Sequence, residues 1–250
     1  MKKFKHLYPF LLAFAVCVPF TACDEGGRKN QQAATEKTTS DEAPDRSPYI
    51  GNWISLEYVK ALRETRSPLQ AQDNARLLRL TEEKASGVVN FHEGEDVAWA
   101  EKEGKVGLKT YEGFQPLEAD GNVLRLGGQG FEMAAMSGDR PLIVEQTVLA
   151  GNYLLNDQAV QLSPTGDVSG LVGIHHYQAV YDYIGPGMNL DLVQMGPDAD
   201  NLRDFIFRFE DDALAIYEVE CLTEADGECL EITLGQPLFL LMPAGTPLTE

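Results

Sequence analysis

The densest run of side chains able to do chemistry is His175-His176-Tyr177-Gln178-Ala179-Val180-Tyr181-Asp182-Tyr183. In an extended chain successive side chains point to opposite faces. His175, Tyr177, Tyr181 and Tyr183 then share one face, and His176, Gln178, Val180 and Asp182 share the other. The first set is an aromatic surface tipped with hydroxyls and one imidazole. It suits the wall of a cup that holds a small apolar ligand by a few fixed polar contacts. The plain alternative is that these tyrosines pack a core rim and send their hydroxyls to solvent. Neighbouring strand residues diverge, so His175 and His176 cannot share one metal ion without a bulge.

Other constellations carry less. Asp198-Ala199-Asp200-Asn201 has an acidic spacing that calcium favours, but the next two positions, where an EF-hand loop wants Asp or Asn and then Gly, are Leu202 and Arg203. A solvated loop accounts for it. No Gly-x-Ser-x-Gly occurs, and carboxylates are so abundant that pairing among them carries no signal. Gly127-Gly128-Gln129-Gly130 lacks both the lysine and the following helix of a phosphate cradle, so a strand-connecting turn is enough.

The elements that must position these groups are short strands. Alternating runs at 77–81, 87–92, 106–111, 123–126, 131–134 and 142–145 are separated by turn signals such as Glu112-Gly113 and Asp120-Gly121. Further runs follow at 159–162, 168–172, 174–184, 190–195, 204–209, 213–220, 230–234 and 238–242. Phe205, Phe207 and Phe209 alternate with Asp204, Ile206 and Arg208, which predicts one aromatic core face. Helical spacing is confined to Leu56, Val59 and Leu62, with Ser55 as N-cap, and to a short turn opened by Ser67-Pro68. Gly51-Asn52-Trp53 and Gly151-Asn152-Tyr153 echo each other, which leaves open a domain of two related halves, 49–148 and 149–247.

Ahead of the strands lie two segments of other kinds. Lys2, Lys3 and Lys5 precede an apolar run over 7–20 that is too short to span a bilayer, the pattern of a secretory signal. Residues 23–48 are polar and hold almost nothing to bury, so they read as a flexible tether. The signal closes on Phe20-Thr21-Ala22-Cys23, which resembles the lipobox of bacterial lipoproteins, with Phe20 where an aliphatic residue is usual. The resemblance implies cleavage after residue 22 and a palmitate-type diacylated Cys23 as the membrane anchor. Asp24-Glu25 fits an inner-membrane retention signal, a surface-export signal of Bacteroidota, or a plain linker start. With Cys17 discarded and Cys23 acylated, Cys221 and Cys229 remain, and an oxidising compartment makes them a disulfide across a hairpin turning at Asp226-Gly227. Two thiols without a nearby histidine are incomplete for zinc.

The net charge of −19 is uneven, and residues 151–250 hold 17 acidic side chains against Arg203 and Arg208 alone. Such a surface repels phosphate backbones and disfavours nucleic-acid binding. Gly51-Asn52-Trp53 at the head of a β-rich secreted region resembles the Gly-x-Trp start of lipocalins. That resemblance implies an up-and-down barrel with Trp53 closing its floor, although the helix at 55–65 and the domain length depart from that family. Gly51-x-Trp53, Tyr58-x-x-x-Leu62 and Ser67-Pro68 also resemble Bacteroidota lipoproteins. The expectation is therefore mostly β: an antiparallel lipocalin-like barrel or sandwich over 49–247, with one or two short helices near its start. It is expected to be a non-catalytic module at the outer membrane, periplasmic or surface-facing, needing no cofactor or metal. Trp53, His175, Tyr177, Tyr181 and Tyr183 would line its site for a small apolar ligand. The rival expectations are a partner-binding subunit of an envelope complex and a carboxylate-dependent hydrolase.

Overall fold

The computed structural model describes residues 44–181 and 185–245. The signal segment, Cys23, most of the expected tether and Tyr183 lie outside the described residues. Two antiparallel sheets dominate. The first holds β1 (Gly51–Ser55), β2 (Arg76–Leu80), β3 (Ala85–Val89), β4 (Glu93–Glu95), β5 (Ala98–Lys102), β6 (Lys105–Thr110), β7 (Gly113–Asp120), β8 (Val123–Leu126) and β9 (Gln129–Met133). A small hairpin, β10 (Met136–Ser137) and β11 (Arg140–Pro141), leads to the second. That sheet holds β12 (Gly151–Leu155), β13 (Gln158–Leu162), β14 (Val168–Ser169), β15 (His176–Ala179), β16 (Leu192–Gly196), β17 (Arg203–Glu210), β18 (Ala213–Ala225) and β19 (Glu228–Pro243).

The sheets share a strand order. The first runs β4-β3-β2-β1-β9-β8-β7-β6-β5 and the second β14-β13-β12-β19-β18-β17-β16-β15, so each opening strand lies between its successor and the last strand. The Gly-Asn-aromatic echo falls on those two opening strands and makes matching contacts. Trp53 Nε1 donates to the carbonyl of Tyr49 at 2.8 Å, and the Tyr153 hydroxyl donates to that of Leu149 at 2.9 Å. Ala134 N donates to Asn52 O and Ala244 N to Asn152 O, each at 2.8 Å.

Both sheets curl. In the first, Trp99 of β5 donates to the Thr81 carbonyl after β2 at 2.9 Å, tying one edge towards the other. In the second, the edges meet: Val168 N donates to His175 O at 2.9 Å, and Tyr177 N donates to Gly166 O at 2.7 Å. Gly166 permits this approach, since a Cβ there would lie 2.5 Å from the Tyr177 oxygen. Arg46, inside the expected tether, stacks over the Trp99 ring at 5.0 Å.

Alternation along β1 and β2 sorts side chains into two cores. Trp53 and Leu78 join Leu80, Leu108, Leu124 and Phe131 inside the first sheet. Their neighbours Ile54 and Leu77 enter a second core with α1 (Leu56–Thr65) and the second sheet. Ser55 caps α1, accepting from Tyr58 N at 3.3 Å, and the helix buries Tyr58, Val59 and Leu62 against Tyr153, Tyr177, Phe205 and Phe207. Burial of each large side chain is worth roughly 1.5–3 kcal/mol, so this helix carries much of the join between the sheets. The turn α2 (Pro68–Ala71) adds a polar clasp. Asp191 accepts from Ser67 Oγ at 2.6 Å and from Leu69 N at 2.8 Å, while burial pushes its carboxyl above the ordinary range.

Several expected strands differ. Residues 142–145 are helical instead: Ile143 and Val144 begin a turn that becomes a π-helix over Glu145–Leu149. Ile143, Val144, Val148 and Leu149 all enter the shared core, which an alternating strand could not achieve. The run 174–184 shortens to β15. The expected strands at 230–234 and 238–242 are one strand, β19, paired with β18 through several register shifts. Beyond the core this hairpin projects as an exposed arm, closed by a Cys221–Cys229 disulfide with Cα atoms 5.8 Å apart.

Candidate functional site

The chain leaves β3 through Asn90 and Phe91, both left-handed at φ 51° and 61°. Phenylalanine rarely adopts this conformation, which costs on the order of 1–3 kcal/mol unless the surroundings impose it. Here Asn90 N is held by the Ala75 carbonyl at 2.9 Å, and the turn sets the Phe91 ring between two tyrosines. Phe91 meets Tyr58 edge-on with centroids 5.1 Å apart, and Tyr181 at 4.8 Å. An aromatic ladder thus runs from α1 to the second sheet.

Beside the ladder lies a cleft of about 700 Å³ between the sheets. Leu77, Arg79, Val88, Phe91 and His92 form its wall on the first sheet, and Ser137, Asp139, Arg140 and Pro141 come from the β10–β11 hairpin. Gln178, Ala179, Val180, Tyr181 and Gln194 form the wall on the second. The volume lies within the range of small-molecule sites, and the mixture of apolar surface with a few polar groups is their usual lining. Gln178 Nε2 donates to Gln194 Oε1 at 2.6 Å, and Gln194 Nε2 to Asp204 Oδ1 at 2.8 Å, so both amides are held in place.

Behind one wall sits Glu145, fully buried in the π-helical turn. Its Oε1 accepts from Ala179 N, a donor on the edge strand β15, at 2.7 Å, and pairs with Arg140 Nη1. Its Oε2 lies 3.1 Å from the Tyr181 hydroxyl. That hydroxyl also contacts the Pro141 carbonyl at 2.7 Å and accepts from Val144 N at 3.2 Å. Burial first, and then the Glu145 charge, hold the Tyr181 phenol well above its ordinary pKa. The carboxylate is saturated by partners and has no face on the cleft. It anchors the wall.

The sequence-expected ligand set does not assemble into one cup. Tyr181 lines the cleft. Tyr177 is wholly buried inside the second sheet, its hydroxyl donating to Ser163 O at 2.5 Å, and Trp53 is buried inside the first. His175 is exposed on the approach to β15 and His176 half-buried. Tyr183 lies outside the described residues. The correction has a packing cause: side chains fill the interior of the second sheet, so the open space lies outside it, against its edge strand.

Sequence reasoning missed Arg79, Phe91, Arg140 and Glu145. Arg79 and Arg140 look like solvated strand charges, and Glu145 ends a run that imitates a strand. Asn90 was the one readable signal, because asparagine tolerates the left-handed conformation and favours turns. Among the described residues no group of three or more His, Cys, Asp or Glu is placed to hold a metal ion. Nor is any described helix long and apolar enough to cross a membrane. No protein-family model, curated protein or solved structure matches the chain.

Proposed function

We propose that this chain is a lipid-anchored protein of the bacterial outer membrane whose folded region is a non-catalytic module binding a small, largely apolar ligand between its two sheets. The carrying observation is the strained Asn90-Phe91 turn, which holds an aromatic ring against a cleft of about 700 Å³. Strain of this kind persists where the surroundings impose it, and it clusters at ligand-binding sites. Against the hydrolase alternative stands the shortage of acids in the cleft. Among the described residues Asp139 is the one carboxylate in its lining, and Glu145 is engaged behind the wall.

A neutral apolar dye, N-phenyl-1-naphthylamine, tests the cleft. The mature protein should enhance its fluorescence, and Val180→Trp, which partly fills the cleft, should sharply reduce the enhancement with far-ultraviolet circular dichroism and the urea midpoint unchanged. No enhancement in the parent, or none lost in the filled variant, refutes the reading. The anchor is tested separately: Cys23→Ser in the native host should lose palmitate label and leave the membrane fraction.

A further inference from the structure

The cleft's charges are unlike those of the rest of the molecule. In a chain of net charge −19, two guanidinium groups, Arg79 and Arg140, face one apolar space. Arg140 is neutralised from behind by Glu145, which leaves Arg79 as the cation without a buried counter-ion. Its partner is Asp139, whose carboxylate is 98% exposed and 3.4 Å from Nη1, longer than a good N–H···O bond. Arg79 Nη2 donates to the Asp139 backbone carbonyl, and Nε is buried with no acceptor among the described residues. A guanidinium with a buried idle donor and a loosely held acid beside it is poised to exchange that acid for a better-placed anion. The apolar wall of Leu77, Val88, Phe91 and Val180 begins at the same place.

We propose that the cleft selects amphiphilic carboxylates, with the acid headgroup on Arg79, the apolar body along Phe91 and Val180, and Asp139 as a built-in competitor for the headgroup. This rests on the binding reading above and names the ligand class for the same cleft. Asp139 sits at the tip of the β10–β11 hairpin, so displacing it disturbs no core contact.

The probes are decanoate and decanol, matched in chain length and differing in charge, measured by calorimetry on the mature protein at a pH where decanoate is ionised. Decanoate should bind about tenfold tighter than decanol, the scale of one charge-assisted contact. Arg79→Gln should weaken decanoate about tenfold and bring the ratio of the two affinities close to one. Asp139→Asn should tighten decanoate by about threefold, as expected for removing a weak exposed competitor, and so raise its preference over decanol. Both residues lie at the surface of their elements, and circular dichroism confirms that the variants fold. Equal binding of the two probes by the parent overturns the headgroup selection but leaves the cleft standing. Unchanged decanoate binding in Arg79→Gln overturns the role of Arg79. Binding of neither probe overturns both this inference and the reading on which it rests.

Discussion

Removing the two partners of the buried ion pair should have unequal consequences. Glu145 is fully buried, whereas the Arg140 side chain keeps 22% exposure. In Glu145→Ala the edge-strand donor Ala179 N loses its acceptor, a loss of about 1–3 kcal/mol. Arg140 also loses its counter-ion, but water reaches it, so that part is discounted to about 1–2 kcal/mol. Tyr181 keeps the Pro141 carbonyl and adds little. The expected total is about 2–5 kcal/mol, and Glu145→Gln, which retains an acceptor for Ala179, should cost about 2 kcal/mol. Arg140→Met reverses the exposure argument, because it strands a carboxylate where no water reaches. It should cost about 3–5 kcal/mol despite removing the more exposed partner. Urea unfolding followed by circular dichroism gives all three values. If Arg140→Met proves cheaper than Glu145→Gln, or Glu145→Ala costs under about 1 kcal/mol, the carboxylate is not the anchor of this wall.

Three further outcomes follow from other parts of the fold. Ser55→Ala should cost about 2 kcal/mol in the same assay, since its hydroxyl caps α1 and also donates to the Asn74 carbonyl. Reduction or Cys229→Ser at the hairpin arm can cost about 2.5 kcal/mol by loop entropy. Because the arm projects beyond the core, it should register as new proteolysis near 225–228 before any change in the global midpoint. Burial raises the pKa of Tyr153, Tyr177 and Tyr181 above the ordinary 10.0, so above that pH the unfolded chain releases protons that the folded chain keeps. Stability should be unaffected by these groups below pH 10.0 and fall as pH rises beyond it. Tyr177→Phe should flatten that fall, and an unchanged slope would show that Tyr177 ionises freely in the folded protein.

The β-rich class was legible because turn residues and alternation are local. So were both helix starts, where Ser55 and Ser67 supply cap oxygens within three residues of the donors they satisfy. The hairpin disulfide was readable from Asp226-Gly227, whose left-handed φ values of 55° and 82° match the turn expected between the cysteines. Ile143-Val144 misled because β-branched residues favour a strand, yet burial on every side rewards a helical turn there. The cleft was illegible for a different reason. Its walls come from 77–92, 137–141, 178–181 and Gln194, and no local pattern reports which strand edges will face each other across a gap. Tyr181 was found because aromatic density drew attention to it, and Tyr177 was misassigned because the same density also builds a filled interior.

The shared strand order constrains how the chain can acquire its shape. β1 is shut in by β9, and β12 by β19, so each curl is sealed by the last strand of its sheet to be made. Pairing of this kind joins residues far apart along the chain and is slow compared with hairpin formation. Until β19 docks, β12 and β18 each present a bare row of peptide groups beside exposed apolar side chains. A chain truncated before 228 would be held in that state, and two such chains could satisfy each other's edges. The strand β19 is therefore the protein's guard against self-association during folding, a duty separate from the cleft, to whose lining neither β19 nor its partners β12 and β18 contribute.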